Sequence, residues 1–263
     1  MKRPEPSFVV DVDVRNPGQF FACCGLLELA GRIWGGEPAL AWFENKKFYV
    51  ASRSQNADLP ALINTLSDVE FDKGELECSE IFDSRNKPSN VRTIIPVILG
   101  PPINLRLAWW LDESARTKSK LKLWAGQQSS IRTIESLLAK VRSISTVDQQ
   151  LLTLSAFGAM SFGFDPRSAW DALGTGFSPN NIGRMKVPTY PVVELLAAIG
   201  LTSFVPVHAN SKFYYYTWRT PMPATLCRTL VNCKITKCQQ LFSVSLVKRG
   251  EREAFRFAEP IIN

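Results

Sequence analysis

Histidine is nearly absent from this sequence of 263 residues, which contains only His208. Most nucleases and hydrolases activate water with a cluster of His, Asp, Glu or Cys side chains, so a single histidine excludes the designs that need several. The pattern GxxxxGK[ST] is missing as well, which leaves no phosphate-binding loop for an ATPase. One histidine would suffice for a metal-independent ribonuclease, although a structural or surface role for His208 is the simpler interpretation.

Long apolar runs are also missing, and none approaches the roughly 20 residues of a membrane-spanning helix. Residues 1–6 carry positive charges with no apolar stretch after them, so no signal peptide is predicted. The six cysteines are too sparse for the disulfide scaffold of a secreted domain. We therefore expect a cytoplasmic protein with free, buried thiols and no membrane partner.

Three cysteines, Cys227, Cys233 and Cys238, lie close together in sequence. Their spacing lacks the two-residue separation that is typical of structural zinc sites, and no histidine is near them in the sequence. We interpret them as thiols packed in a sheet. Neither a metal nor another cofactor is expected.

Charge is unevenly distributed along the chain. Residues 1–83 contain 14 acidic and 8 basic side chains, a net charge of −6, whereas residues 84–263 contain 10 acidic and 23 basic side chains, a net charge of +13. Basic clusters bind polyanions because they displace the counterions condensed on phosphates. The asymmetry favours a nucleic-acid partner for the second part, and the alternative is a solvated basic face that keeps the protein in solution.

The first 83 residues are predicted to form a β-α-β-β-α unit. Residues 7–14 alternate apolar and polar side chains, as in a half-buried strand. Asn16 is a good N-cap and Pro17 suits the first helical position, so a helix begins there and ends near the glycines at positions 35 and 36. Two strands at 39–43 and 47–51 and a helix at 58–66 follow, and a fourth strand near 76–82 would complete a ferredoxin-like pattern. The predicted class is α+β, with antiparallel sheets and packed helices.

A polar, proline-containing stretch at residues 83–91 is the best internal boundary by composition. We expect residues 84–263 to form a basic α+β region, either separate from the first unit or continuous with it as one domain. The predicted elements of this region are listed in chain order: strands at 105–111 and 120–124, helices at 129–144 and 147–160, a loop at 162–188, a helix at 190–199, and strands at 213–219, 226–235, 241–247 and 254–257. Residues 248–251 should form the turn between the last two strands.

One internal similarity is visible. Residues 20–26 can be aligned with residues 195–201, because both segments are apolar, follow a proline and place a glycine before a leucine. A duplicated β-α unit would explain this match. Buried helices also resemble each other to this degree by chance, so both explanations stay open.

Basic residues are the main candidates for a binding surface. The run at 116–124 alternates charge with small or apolar side chains, and a strand would project Lys118, Lys120 and Lys122 from one face, where they could follow a phosphate backbone. The alternative is a sheet edge protected by lysines. The predicted nucleic-acid-binding residues are Arg116, Lys118, Lys120, Lys122, Arg132, Arg184, Lys186, Tyr215, Arg219, Arg228 and Lys234.

Tyr215 belongs to an aromatic strand at 213–219. Such strands sometimes provide platforms on which unpaired bases stack. More often one face of the strand is core. The sequence does not decide between these two interpretations.

Several segments together resemble small CRISPR-associated proteins of the type I-U systems, also called I-G. They are residues 16–30 (NPGQFFACCGLLELA), 123–128 (LWAGQQ), 164–173 (FDPRSAWDAL) continuing to 176–180 (GFSPN), and 190–201 (YPVVELLAAIGL) followed by the aromatic strand. The resemblance implies membership in a crRNA-guided interference complex, as a component similar to the large subunit. Its implied partners are crRNA, target DNA or both, together with other effector subunits.

No catalytic motif comes with this resemblance, so a non-catalytic binding role is expected. Two alternatives remain. One is a metal-independent ribonuclease that processes crRNA with His208 and Tyr or Lys neighbours. The other is a purely structural subunit that bridges other proteins, against which the basic C-terminal region argues.

Overall fold

The computed structural model describes residues 3–75, 94–124, 128–168, 187–234, 239–249 and 252–262. The helices are α1 (Pro17–Ile33), α2 (Leu59–Ser67), α3 (Ser130–Val141), α4 (Pro191–Leu201) and α5 (Ala224–Leu230). The strands are β1 (Phe8–Asp11), β2 (Leu40–Glu44), β3 (Lys47–Ala51), β4 (Phe71–Lys73), β5 (Val97–Leu99), β6 (Leu105–Leu107), β7 (Leu111–Asp112), β8 (Thr117–Lys118), β9 (Val207–Ala209), β10 (Lys212–Thr217), β11 (Met222–Pro223), β12 (Gln240–Arg249), β13 (Arg252–Phe255) and β14 (Glu259–Ile261).

All of the sheets in the described residues are antiparallel, which confirms the predicted α+β class. The first sheet has the order β1-β3-β2-β11, and the second has the order β13-β12-β10-β9 with β14 also paired to β12. Two smaller sheets contain β4-β5-β6 and β7-β8. One core of buried side chains runs between these sheets and the helices. No helix in the described part of the chain is long and apolar enough to cross a membrane.

The start of the chain folds as its local signals predict. The side chain of Asn16 accepts a hydrogen bond from the backbone N–H of Gln19, and Pro17 occupies the first turn of α1. Asp58 caps α2 in the same way. Strands β1, β3 and β2 with α1 form the split β-α-β arrangement that begins a ferredoxin-like pattern. The fourth strand predicted at 76–82 and the boundary at residue 83 lie outside the described residues.

Four elements of the basic region were predicted wrongly. The strand expected at 105–111 is two strands, β6 and β7, which belong to different sheets. The segment 147–160 contains only the short 3-10 turn Leu151–Thr153, whose two buried leucines are adjacent rather than at helical spacing. The expected strand at 226–235 is instead α5, where Cys227 and Leu230 are buried three residues apart, as a helix requires. The fourth error, at 120–124, bears on the candidate site and is described with it.

Helices α1 and α4 cross in close contact at two glycines. An ideal Cβ placed on Gly25 would lie 2.0 Å from the carbonyl oxygen of Leu196, and one on Gly200 would lie 2.1 Å from the carbonyl oxygen of Phe21. The alignment noted in the sequence pairs Phe21 with Leu196 and Gly25 with Gly200. Each glycine therefore contacts the residue of the other helix that aligns four positions before the matching glycine. Two helices related by a pseudo-twofold axis would make this pair of equivalent contacts.

The hairpins that follow these two helices also match. The β2–β3 turn has positive φ at Asn45 (50°) and Lys46 (59°), and the β9–β10 turn has positive φ at Asn210 (50°) and Ser211 (59°). Each turn is followed by Lys-Phe-Tyr. We call α1-β2-β3 the first unit and α4-β9-β10 the second unit. The alignment of the helices does not carry over to the hairpins without a gap, because α1 extends to Ile33, well beyond Gly25, whereas α4 ends at Leu201, directly after Gly200.

Candidate nucleic-acid interface

Three of the predicted cations lie on the short β7–β8 hairpin. Arg116 is exposed in the turn with φ of 51°, Lys118 is half-buried in β8 opposite Leu111, and Lys120 is exposed just beyond the strand. None of the three forms an ion pair with a described residue. The hairpin therefore presents three basic side chains whose charge is not neutralised within the described fold.

The two carboxylates of the same hairpin differ in their partners. Asp112 accepts hydrogen bonds from the Ser114 hydroxyl (2.7 Å) and from the backbone N–H of Ala115 (3.0 Å), and these bonds lower its pKa. Glu113 accepts an ion-paired hydrogen bond from Arg106 at 2.5 Å. Arg106 thus neutralises Glu113, whereas Asp112 keeps its negative charge beside Arg116, Lys118 and Lys120, so these four side chains carry a net positive charge.

The single strand face predicted for Lys118, Lys120 and Lys122 is wrong. The backbone leaves β8 and turns: the N–H of Lys122 donates to the carbonyl of Ser119 (3.2 Å), and the Ser119 hydroxyl accepts from Leu121 (3.2 Å). The ammonium of Lys122 donates to the carbonyl of Trp124 (2.5 Å) and lies 5.1 Å from the centroid of its ring. Lys122 is thus bound to its own loop, and Lys120 is separated from Lys118 by the turn.

The other predicted cations are dispersed. Arg132 on α3, Arg219 after β10 and Lys234 after α5 are exposed. Arg228 on α5 donates to the carboxylate of Glu28 on α1 at 2.7 Å, where that carboxylate is fully buried. The charge of Arg228 is therefore used inside the fold. Arg184 and Lys186 lie outside the described residues.

Tyr215 cannot serve as the stacking surface that was predicted for it. Its side chain is fully buried, its ring stacks on Phe20 with centroids 4.2 Å apart, and its hydroxyl donates to the carbonyl of Val14 at 2.6 Å. Burial also raises the pKa of this hydroxyl. Its neighbours Tyr214 and Tyr216 are only half-buried because alternate residues of a strand face opposite sides of the sheet. That alternation was the signal in the sequence that would have selected them.

His208 lies on β9, exposed, with its ring centroid 4.8 Å from that of Phe213. It lines a pocket of about 390 Å³ together with Lys120, Asp112 and Thr202. The fold therefore brings together a histidine and a lysine that are 88 positions apart in the sequence. No group of three or more His, Cys, Asp or Glu side chains in the described ranges is arranged to hold a metal ion.

Two buried carboxylates anchor the loop before α4. Glu194 is fully buried and accepts four backbone hydrogen bonds of 2.9–3.2 Å from residues 162–165. Desolvation raises its pKa to about 7, although the hydrogen bonds act in the opposite direction. Asp165 accepts from the amide of Asn16 (2.9 Å) and pairs with Arg167 (2.5 Å), which stacks on Tyr190. Because Glu194 and Asp165 are engaged by the fold, they serve as its anchors rather than as free acids.

The cysteines of the described residues are free. Cys23, Cys24 and Cys227 are buried, and Cys233 is half-buried. Cys227 lies on helix α5 rather than in the predicted sheet, and Cys78 and Cys238 lie outside the described residues.

Comparison with family models, with curated proteins and with solved structures found no match to this chain.

Proposed function

We propose that this protein is a non-catalytic subunit of a type I-U/I-G CRISPR effector complex and that it contacts crRNA, target DNA or both. The family assignment rests on the sequence resemblance alone. The observation that carries the binding role is the β7–β8 hairpin, where Arg116, Lys118 and Lys120 stand without carboxylate partners among the described residues.

Unpaired surface cations are well suited to a nucleic-acid backbone. Each contact between a lysine or arginine and a phosphate releases condensed counterions, so binding weakens as salt concentration rises. The slope of log K against log salt changes by about 0.7 per contact for single strands and about 0.9 for duplex DNA. Three contacts from this hairpin would therefore contribute roughly two units of slope for a single strand.

The test replaces Arg116, Lys118 and Lys120 with Glu. We expect weaker binding of the purified protein to single-stranded oligonucleotides and a salt slope flatter by about two units. The fold should be retained because Arg116 and Lys120 are exposed, Lys118 is only half-buried, and surface charges without ion-pair partners contribute little to stability. Fluorescence anisotropy at four or more salt concentrations gives both the affinity and the slope.

A matched control reverses three exposed cations elsewhere, Arg15, Lys46 and Lys73. It makes the same change in net charge, so it separates a local contact from a general loss of positive charge. If both triple variants flatten the slope equally, the hairpin is not the binding surface. If the wild-type protein binds neither RNA nor DNA, the binding role itself is refuted and a bridging subunit becomes the better account.

Membership in the complex needs its own experiment. A tagged protein encoded beside this one should retain it during purification, and sequencing of the retained nucleic acid should yield crRNA with or without target DNA. Purification of the tagged partner without this chain would contradict the proposed assembly.

A second candidate function is metal-independent cleavage of RNA. The observation that favours it is the shared pocket of His208 and Lys120, since a histidine could transfer a proton while a lysine stabilises a phosphate. Incubation of crRNA precursor with the wild-type protein and with a His208→Ala variant, in buffer containing a chelator, distinguishes the two functions. Cleavage that is lost in the variant would establish the ribonuclease, and no cleavage by the wild type supports the binding role.

A further inference from the structure

The outer face of the second sheet carries two tyrosines on a central strand. In β10, Phe213, Tyr215 and Thr217 point into the core and are buried, while Lys212, Tyr214 and Tyr216 are half-buried on the opposite side. We use the term outer face for that side of β9, β10, β12 and β14. Two residues along a strand span about 6.6 Å, so Tyr214 and Tyr216 are neighbours on this face.

The strand register gives the surroundings of each ring. Tyr214 lies between Val207 on β9 and Ser243 on β12, and Ser243 in turn lies opposite Glu259 on β14. Tyr216 lies opposite Leu241, whose other neighbour is Ile261. The exposed fraction of Val207 is 40%. Small and aliphatic side chains therefore flank both rings.

The equivalent tyrosine of the first unit has an aromatic stacking partner within the fold. Tyr49, which matches Tyr214 in the Lys-Phe-Tyr alignment, lies opposite Trp42 and stacks on it with centroids 5.1 Å apart and an interplanar angle of 4°. Tyr214 has Val207 in the place of that tryptophan. Neither Tyr214 nor Tyr216 has an aromatic partner among the described residues.

One lysine and one glutamate lie beside the tyrosines. Lys212 lies opposite Ser245, in the row next to Tyr214. Lys212 forms no ion pair with a described residue. Glu259 is an acidic residue on the row of Tyr214 itself. A partner of this face should thus combine flat rings with negative charge.

We propose that the outer face binds single-stranded RNA, with two successive bases stacked on Tyr214 and Tyr216 and the backbone running past Lys212. This inference rests on the proposed nucleic-acid-binding function. It adds base stacking to the contacts between cations and phosphates that the β7–β8 hairpin would make. Unpaired bases stack on aromatic side chains of open antiparallel sheets without any need for sequence readout. A duplex would not use this face, because its bases are already stacked on one another.

Glu259 favours RNA over DNA as the occupant. An ionised carboxylate repels phosphate and can only accept hydrogen bonds, so it is unfavourable beside a backbone unless a donor is present. The ribose 2′-hydroxyl supplies such a donor, and deoxyribose does not. Placed one strand beyond Ser243, Glu259 is within reach of a nucleotide stacked on Tyr214.

The experiment measures the affinity of the full-length protein for a 12-nucleotide oligouridine and for the DNA strand of the same length and bases. We expect Tyr214→Leu and Tyr216→Leu each to lower the RNA affinity about 5- to 150-fold, the range for loss of one stacked base. Leucine keeps an apolar strand side chain while removing the ring. Tyr214→Phe and Tyr216→Phe keep the ring and should stay within about threefold of the wild type. Tyr49→Leu is the matched control in the first unit and should leave the affinity unchanged.

The salt slope separates this inference from the proposed function. The leucine variants should bind more weakly with an unchanged slope, whereas the hairpin variant should change the slope. Wild-type affinity in both leucine variants would overturn the stacking platform while leaving the binding function intact, and a wild-type protein that binds no nucleic acid would overturn both. Equal affinity for RNA and DNA would overturn the assignment to RNA. Loss of complex assembly with unchanged RNA affinity would show that a protein subunit covers this face instead.

Discussion

The crossing of α1 and α4 makes a sharp prediction about stability. An alanine at position 25 would place its Cβ 2.0 Å from the carbonyl oxygen of Leu196, and an alanine at position 200 would place its Cβ 2.1 Å from the carbonyl oxygen of Phe21. Both obstacles are backbone atoms, so no side-chain rotation can relieve them. The helices would have to separate by about 1 Å, since carbon and oxygen atoms do not approach much closer than 3 Å.

The cost follows from what the crossing buries. Every residue of α4 is buried, and a gap of 0.5–1 Å already forfeits about a quarter to a half of the dispersion energy of each contact across it. Overpacking costs about 1–3 kcal/mol in ordinary cores and more where the backbone cannot yield. Alanine offsets at most about 1 kcal/mol of this through helix propensity. We therefore expect Gly25→Ala and Gly200→Ala each to lower the free energy of unfolding by about 3 kcal/mol.

The double variant is the more informative measurement. Both alanines require the same separation of α1 and α4, so the second substitution should lower the free energy of unfolding much less than the first. The two changes in stability should therefore be far from additive. Urea unfolding followed by tryptophan fluorescence gives the three values, and Gly31→Ala on α1 is the control because no atom outside the local helix backbone lies within 4 Å of its Cβ position. Gly31→Ala should be neutral or stabilising by up to about 1 kcal/mol. A Gly25→Ala variant as stable as the wild type, or an additive double variant, would refute the reasoning.

Two further predictions concern buried groups. Burial raises the pKa of Glu194 from 4.5 to about 7. Between these pH values the folded protein holds a proton that the unfolded chain lacks. The stabilisation that comes from this proton is therefore complete below pH 4.5 and is lost as pH rises through 7. The free energy of unfolding of the wild type, relative to Glu194→Gln, should fall by about 3 kcal/mol from pH 4.5 to 7.5, and a constant difference in urea titrations would contradict this. Burial also raises the pKa of the Cys23 and Cys24 thiols, so iodoacetamide at pH 8 should label these two residues only after denaturation. In the denatured protein all six cysteines should react without added reductant. Mass spectrometry decides this, and rapid labelling of either thiol in the native protein would be the opposite result.

Local signals in the sequence predicted the first part of the fold well. Asn16 and Pro17 mark the start of α1 because the cap and the fixed φ act within four residues, and Asp58 does the same for α2. The antiparallel pair of β12 and β13 was also predicted, but Lys248 and Arg249, expected in the turn at 248–251, belong to β12, and residues 250–251 lie outside the described residues. Such features depend on neighbours in the chain, so the chain alone is enough to infer them.

The errors arose where tertiary contacts replaced the local pattern. Alternating charge at Lys118, Lys120 and Lys122 suggested a strand, but the hydroxyl and carbonyl of Ser119 bind the next residues and close a turn. The site was predicted only in part for the same reason. Arg228 is engaged by a carboxylate on α1, and Tyr215 is the inward member of an alternating series, which charge and aromatic content by themselves do not reveal.

The relation between the two units connects the fold to the proposed binding face. The features they share are the ones that the common core needs: reciprocal glycines at the helix crossing and the buried Phe48 and Phe213 after each turn. The tyrosines that follow differ in their surroundings: Tyr49 packs against the core beside the buried Trp42, whereas Tyr214 lies opposite Val207, which is 40% exposed. In the first unit Trp42 occupies the ring of Tyr49, whereas in the second unit Val207 leaves the ring of Tyr214 available within the basic part of the chain. If bases stack on Tyr214 as proposed, Tyr214→Leu should therefore weaken RNA binding and Tyr49→Leu should not, because the ring of Tyr49 is already stacked on Trp42.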